Sequence, residues 1–213
     1  MSAAVYVHPP AASVQSRKEN KPMSVKNILI VGVGGQGTLL ASKLMGKCFM
    51  NIGYDVKVSE VHGMSQRGGS VVTYVRYGEK VYSPVIEKGE ADIIISFEQL
   101  ESARWLPYLK KGGVLISSTQ KIDPMPVIMG KATYPEDILN KLKEKDIRLV
   151  SLDALSLAIE AGTPKCANIV LLGAAVQFLG IDKEMWVDII RSTVPPKTID
   201  INLKAFELGY NAN

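Results

Sequence analysis

Cysteine is nearly absent. The 213 residues include two, Cys48 and Cys166, and no C-x-x-C pair. The chain can therefore supply neither the four thiolates of an iron–sulfur cluster nor a zinc site, no metal site is expected, and so few thiols suit a reduced, cytoplasmic protein. Long apolar runs are missing too: the longest, Ile169 to Ile181, has 13 residues and contains Gln177, too short to span a bilayer and suited to a buried helix. A strong charge of one sign is also lacking. The net charge is +4, and Arg17, Lys18, Lys21 and Lys26 against Glu19 account for most of it, so no folded face carries a nucleic-acid footprint. The first 25 residues hold Pro9, Pro10 and Pro22 and no sustained periodicity; they read as a poorly ordered extension, and their prolines and His8 interrupt any signal-like apolar stretch.

Residues 26–213 have the length and the 46% apolar content of one globular domain. Their pattern predicts an α/β fold, Rossmann-like, with a mainly parallel sheet, helices on both faces, an antiparallel hairpin insertion and a helical C-terminal tail. Ile28 to Val31 is a continuous apolar strand that runs into Gly32-Val-Gly-Gly-Gln-Gly37, and Thr38 to Asn51 carries a helical apolar stripe. Tyr54 to Ser59 is expected to close a first β-α-β unit. Ser70 to Tyr77 alternates as a strand, and Gly78-Glu79 before Lys80 to Ser83 suggests a hairpin turn. Strands at Ala91 to Ser96, Val114 to Ser117 and Arg148 to Leu152 alternate with helices at Phe97 to Leu109 and Glu136 to Lys145. Asp153 is placed to cap Ala154 to Ala161. Three helices follow, over Ala167 to Leu179, Lys183 to Ser192 and Ile199 to Gly209, the last with Thr198 as its expected cap.

Strand, glycine turn and helix N-terminus form a geometry suited to anions, so Gly32, Gly34, Gly35, Gln36 and Gly37 are candidate cofactor-binding residues. Glu60 lies 23 residues beyond Gly37, a spacing that also suits the ribose-binding acid of an NAD site. The next stretch, Val61-His-Gly-Met-Ser-Gln-Arg-Gly-Gly69, is a glycine-rich loop dense in polar groups. There His62 is a candidate proton shuttle, and Arg67 a fork of donors for a carboxylate or phosphate, or else an interface ion pair. Glu60 orients the loop from the strand end, Met64 offers a soft contact surface, and Gly63, Ser65, Gln66, Gly68 and Gly69 complete it. Cys166 precedes a helix N-terminus, a position that lowers a thiol pKa, but no second cysteine or histidine stands beside it. Asn168 is either a cap of the next helix or a polar contact with the site.

The glycine turn at 32–37, followed by Ser59-Glu-Val-His-Gly-Met-Ser-Gln-Arg-Gly-Gly69 and then by Asn168-Ile-Val-Leu-Leu-Gly173, resembles the 2-oxoacid:acceptor oxidoreductases, in the small-subunit branch of the indolepyruvate ferredoxin oxidoreductases. The likeness covers about residues 26–210 and implies a gamma-type domain. It further implies that thiamine diphosphate, magnesium and [4Fe-4S] clusters sit in a large (alpha) partner subunit, with none held by this chain alone. Coenzyme A would be the cosubstrate and ferredoxin the acceptor, in a heterodimer or heterotetramer that oxidatively decarboxylates an aryl 2-oxoacid. A gamma subunit for pyruvate or 2-oxoglutarate, an NAD-binding oxidoreductase, and a purely structural or regulatory partner are the alternatives.

Overall fold

The computed structural model describes residues 24–62 and 69–212, with His62 described through its backbone alone; most of the N-terminal extension thus lies outside the described residues. In chain order the elements are β1 (Lys26–Val33), α1 (Thr38–Asn51), β2 (Asp55–His62), β3 (Ser70–Gly78), β4 (Ala91–Ser96), α2 (Gln99–Trp105), β5 (Leu109–Ser118), α3 (Met125–Ile128), α4 (Ile138–Lys143), β6 (Arg148–Leu152), α5 (Ala154–Ala161), α6 (Ala167–Val176), α7 (Lys183–Thr193) and α8 (Ile199–Tyr210).

One six-stranded sheet has the order β2-β3-β1-β4-β5-β6. The pairs β1–β4, β4–β5 and β5–β6 are parallel, whereas β3 runs antiparallel to both of its neighbours. Both faces are covered, and the alternation of β1 sorts its side chains: Ile28 and Ile30 enter one apolar cluster with α1, α5, α6, α7 and α8, while Leu29 and Val31 enter a second one with α4. That two-sided burial is why β1 reads as an unbroken apolar run. The expected class, mainly parallel sheet and helical tail therefore stand.

Several local expectations change. Strand β2 does not close a β-α-β unit with β1, because β3 is inserted between them with Val33 opposite Ser70 and His62 opposite Val71. Of the two strands, β3 is the more apolar and is mostly buried; β2 carries Asp55, Lys57, Ser59 and Glu60 and takes the edge, where a polar strand costs least. The antiparallel hairpin is thus β2–β3, and Lys80 to Ser83 is not a strand. That segment is held by side chains instead: Arg76 Nη1 donates to the Ser83 and Val85 carbonyls at 2.9 Å each, and the Asp55 carboxylate accepts from the Val81 N–H at 2.9 Å. Lys110 to Gly113 belong to β5 rather than ending a helix. The α2 helix begins at Gln99, with Glu98 as the side-chain cap, because Phe97 N–H is drawn into the sheet by the Val31 carbonyl at 2.9 Å. Asp153 caps α5 as expected, accepting from Ser156 N–H at 3.0 Å, but the Thr198 hydroxyl turns back to the Pro195 carbonyl at 2.9 Å and leaves α8 without a side-chain cap.

The tail packs through two glycines. A Cβ on Gly209 would fall inside the Val170 carbonyl, and one on Gly173 inside the Phe206 carbonyl, so α6 and α8 cross with their backbones touching. A methyl group there has rigid backbone opposite it and no flexible side chain to displace. Gly209→Ala should lower the unfolding free energy by about 3 kcal/mol, an overpacking cost at the high end, read as a lower midpoint in urea with the slope unchanged.

Candidate functional site

Helix α1 leaves β1 toward one face of the sheet and α2 leaves β4 toward the other, so the carboxyl ends of these adjacent parallel strands form a topological switch point, where open α/β sheets place their ligands. The glycine turn sits on one side of that crevice. Gly37 supplies the left-handed residue (φ 84°) that lets α1 begin, and Gly35 has φ 102°.

The turn is filled by its own glutamine. Val33 N–H donates to Gln36 Oε1 at 2.8 Å, and Gln36 Nε2 donates to the Phe97 carbonyl and to Gln120 Oε1, each at 3.0 Å. One side chain thereby joins the segments that follow β1, β4 and β5. Gly32 is glycine for the same reason, since a Cβ there would lie 2.8 Å from Gln36 Oε1 and 2.9 Å from Phe97 Cβ. The Gly34 N–H is engaged as well, donating to the Gly69 carbonyl at 2.9 Å. Asn168, buried at the start of α6, donates from Nδ2 to the Gly37 carbonyl at 3.1 Å and accepts the Ile169 N–H at 2.9 Å. Asn168 is not the cap of α6, whose N-cap position is Cys166 without a side-chain cap bond; its side chain instead ties α6 to the glycine turn across 131 positions of sequence.

Glu60 accepts from the Thr73 hydroxyl at 2.7 Å and from the Thr38 hydroxyl at 3.4 Å, so it joins β2 and β3 to the first residue of α1. In a dinucleotide site the corresponding acid stands at the end of the strand next to β1; here β3 occupies that place. Gly63, Met64, Ser65, Gln66, Arg67, Gly68 and the His62 side chain lie outside the described residues. The two ends of their loop are placed, however. Gly69 is bonded to Gly34, and Ser70 Oγ donates to Glu101 Oε2 at 2.5 Å. Glu101 is buried and also accepts from Arg104 Nε at 3.0 Å and Trp105 Nε1 at 3.2 Å, which anchors the loop's exit to α2.

Beside the turn lies a cavity of about 490 Å³, lined by Gly35, Gln36, Phe97, Gln120, Lys165 and Ala167 among others. The N-termini of α1 and α6 both border it, and Lys165 is exposed with no ion-pair partner among the described residues. The arrangement favours a negatively charged group. Gln120 and Lys165 were not singled out from the sequence; the run Ser117-Ser-Thr-Gln120 at the end of an apolar strand was the available signal. Cys166 is buried against Asn202 Oδ1 at 3.7 Å, and burial pushes its thiol pKa up, opposite to the helix-terminus expectation; burial also pushes Cys48 up to about 12. Among the described residues no group of His, Cys, Asp and Glu is gathered for a metal, and no helix is long and apolar enough to cross a membrane.

These features define an α/β domain with an open, mainly parallel sheet and a crevice at its switch point; residues 27–212 match the pyruvate ferredoxin/flavodoxin oxidoreductase family model, and the chain belongs to that family. The chain is 49% identical to the indolepyruvate oxidoreductase subunit IorB of Thermococcus kodakarensis, over 89% of this chain and 96% of that one. The keto/oxoacid ferredoxin oxidoreductase gamma subunit of Geobacter sulfurreducens superposes with a TM-score of 0.69 at 26% identity, covering 88% of this chain and 97% of that one. A 2-oxoglutarate:ferredoxin oxidoreductase from Magnetococcus marinus shares the fold (TM-score 0.70, 18% identity); 91% of this chain corresponds to 31% of that longer one. None of these relatives supports the NAD reading.

Because the Gln36 amide donates twice, a carboxylate in its place would face the Phe97 carbonyl with no proton to give. Gln36→Glu should cost about 2 kcal/mol in urea unfolding, the penalty of an unsatisfied buried acceptor, and more than the shorter Gln36→Asn.

Proposed function

We propose that the chain is the small subunit of an enzyme that oxidatively decarboxylates an aryl 2-oxoacid such as indolepyruvate, with coenzyme A as acyl acceptor and ferredoxin as electron acceptor. The near full-length identity to an indolepyruvate oxidoreductase subunit carries this reading. The chain has two cysteines, fewer than the four thiolates that a [4Fe-4S] cluster takes, and no metal set is gathered among the described residues. Thiamine diphosphate, magnesium and the [4Fe-4S] clusters therefore belong, in this reading, to the large subunit, which would supply the carbanion and electron-transfer chemistry.

This chain's part is to form one wall of the shared site. The cavity beside Gly35, Gln36 and Gly37, with Lys165 and the two helix N-termini, suits the phosphates of coenzyme A; Gly32 and Gly34 shape the turn, and Asn168 and Glu60 hold it against α6, β2 and β3. The loop from Glu60 to Gly69 brings His62 as a proton carrier and Arg67 as the anion fork. The exposed Leu39 on α1 and Val58 and Val61 on the edge strand β2 are apolar surface, consistent with a face covered by the large subunit in a cytoplasmic heterodimer or heterotetramer. The domain so defined runs over residues 26–213, following the N-terminal extension.

The test is co-expression with the large subunit. Arg67→Ala in the assembled enzyme should raise the KM for coenzyme A or for the 2-oxoacid about tenfold, the loss of one charge-assisted contact, with assembly intact. Unchanged kinetics with weakened association would assign Arg67 to the interface instead, and tight binding of NAD by the isolated chain would overturn the function.

A further inference from the structure

At the end of the sheet opposite the glycine turn, the amino ends of β1, β4, β5 and β6 surround a depression of about 1080 Å³. Its form begins in β5. Between the pairs Ala91↔Leu109 and Ile93↔Val114, β4 has only Asp92, whereas β5 has Lys110, Lys111, Gly112 and Gly113. The surplus residues bulge out of the ladder, a device that re-aims side chains, and they bring two lysines to the rim. The register of β6 sets Arg148 opposite Val114, next to the bulge, and β1 starts there with Lys26.

Four cations, Lys26, Lys110, Lys111 and Arg148, thus line the depression together with one carboxylate, Asp92. Lys26 and Lys110 both approach Asp92 Oδ1, at 3.7 Å and 3.3 Å. Lys111 and Arg148 are exposed and have no ion-pair partner among the described residues; the Arg148 guanidinium lies over the Phe178 ring, 4.7 Å from its centroid. Stacking keeps the guanidinium planar against a wall and leaves its in-plane N–H groups free for a second partner. Asp146 lines one adjoining depression with Lys110, Lys111 and Arg148, and Asp182 lines another with Lys26, so among the described residues four cations stand against three carboxylates.

We propose that this depression binds a polyphosphate anion, either inorganic pyrophosphate or the phosphate tail of a nucleotide. A stacked guanidinium fork beside ammonium groups is a donor set that recognises phosphate, and several charges in one concavity suit a multiply charged ligand better than a single carboxylate. The segment ahead of Lys26 carries Arg17, Lys18 and Lys21 against Glu19, so charge disfavours it as the occupant. The site is separate from the glycine-turn cavity, since the 8 residues of β1 lie between the two, about 25 Å at strand spacing.

Calorimetric titration of the full chain with pyrophosphate and with ATP, at low and at high salt, tests the site. Binding in the micromolar range, weakened by salt, is expected, and Lys111→Gln and Arg148→Gln should each reduce affinity about tenfold, with Lys204→Gln unchanged as the remote control. Both lining residues are exposed, so the variants should keep the parent thermal midpoint, which separates lost binding from lost folding. Equal affinity for the two probes assigns pyrophosphate, and tenfold tighter ATP assigns the nucleotide. Absence of binding up to about 5 mM, or binding undiminished in the double variant, overturns the proposal. So does an assembled enzyme that excludes both probes while the double variant fails to assemble, because the depression is then a subunit interface.

Discussion

The Gln36 side chain holds the carboxyl ends of three neighbouring strand segments together: it accepts from Val33 and donates to the Phe97 carbonyl and to Gln120. Parallel strands whose ends diverge into helices on opposite faces leave unpaired backbone groups at the switch point, and in a largely apolar sheet each such group carries a penalty of about 1–3 kcal/mol if nothing meets it. Gln36 meets two of them. The requirement then propagates outward. Gly32 must lack a side chain to admit the amide and Phe97, Gly37 must take a left-handed φ to start α1, and the Gly37 carbonyl is met by Asn168 from α6.

The same closure changes what the glycine turn is for. In a dinucleotide fold the glycines keep the backbone clear for a pyrophosphate, whereas here the Gly34 N–H is bonded to Gly69 and the hollow holds the glutamine amide. The cavity proposed for the phosphates of coenzyme A lies next door, between the starts of α1 and α6 where Lys165 stands. The β2–β3 hairpin brings both ends of the polar loop to this crevice, one through the Gly69–Gly34 bond and the other through the pairing of His62 with Val71. A fold that occurs both as a separate subunit and as about a third of a longer chain is compatible with the proposed wall of a shared site.

Helices α6 and α8 show how the tail secures the arrangement. Their glycines bring backbone against backbone, which fixes α6 in position and so aims Asn168 at the turn from 131 residues away. Trp186 is fully buried edge-on to Phe49, which stacks on Tyr77, so α7, α1 and β3 share one aromatic column beneath the same face.

What the amino-acid order determined by itself is local and periodic. The unbroken apolar runs of β1 and β4 announce two-sided burial, the Asp153 carboxylate announces a helix cap, and the glycine turn and the Ser59–Gly69 stretch carry the family likeness, because each signal lies within a few residues. Strand order was not legible: whether β2 or β3 lies beside β1 depends on which strand can bury both faces, a comparison between segments that no local pattern records. Only the tertiary structure decided that Gln36 faces inward, that Glu60 joins Thr38 to Thr73, and that the amino ends of four strands gather Lys26, Lys110, Lys111 and Arg148. These contacts join residues tens of positions apart, and their energies exist only after the sheet has set its register.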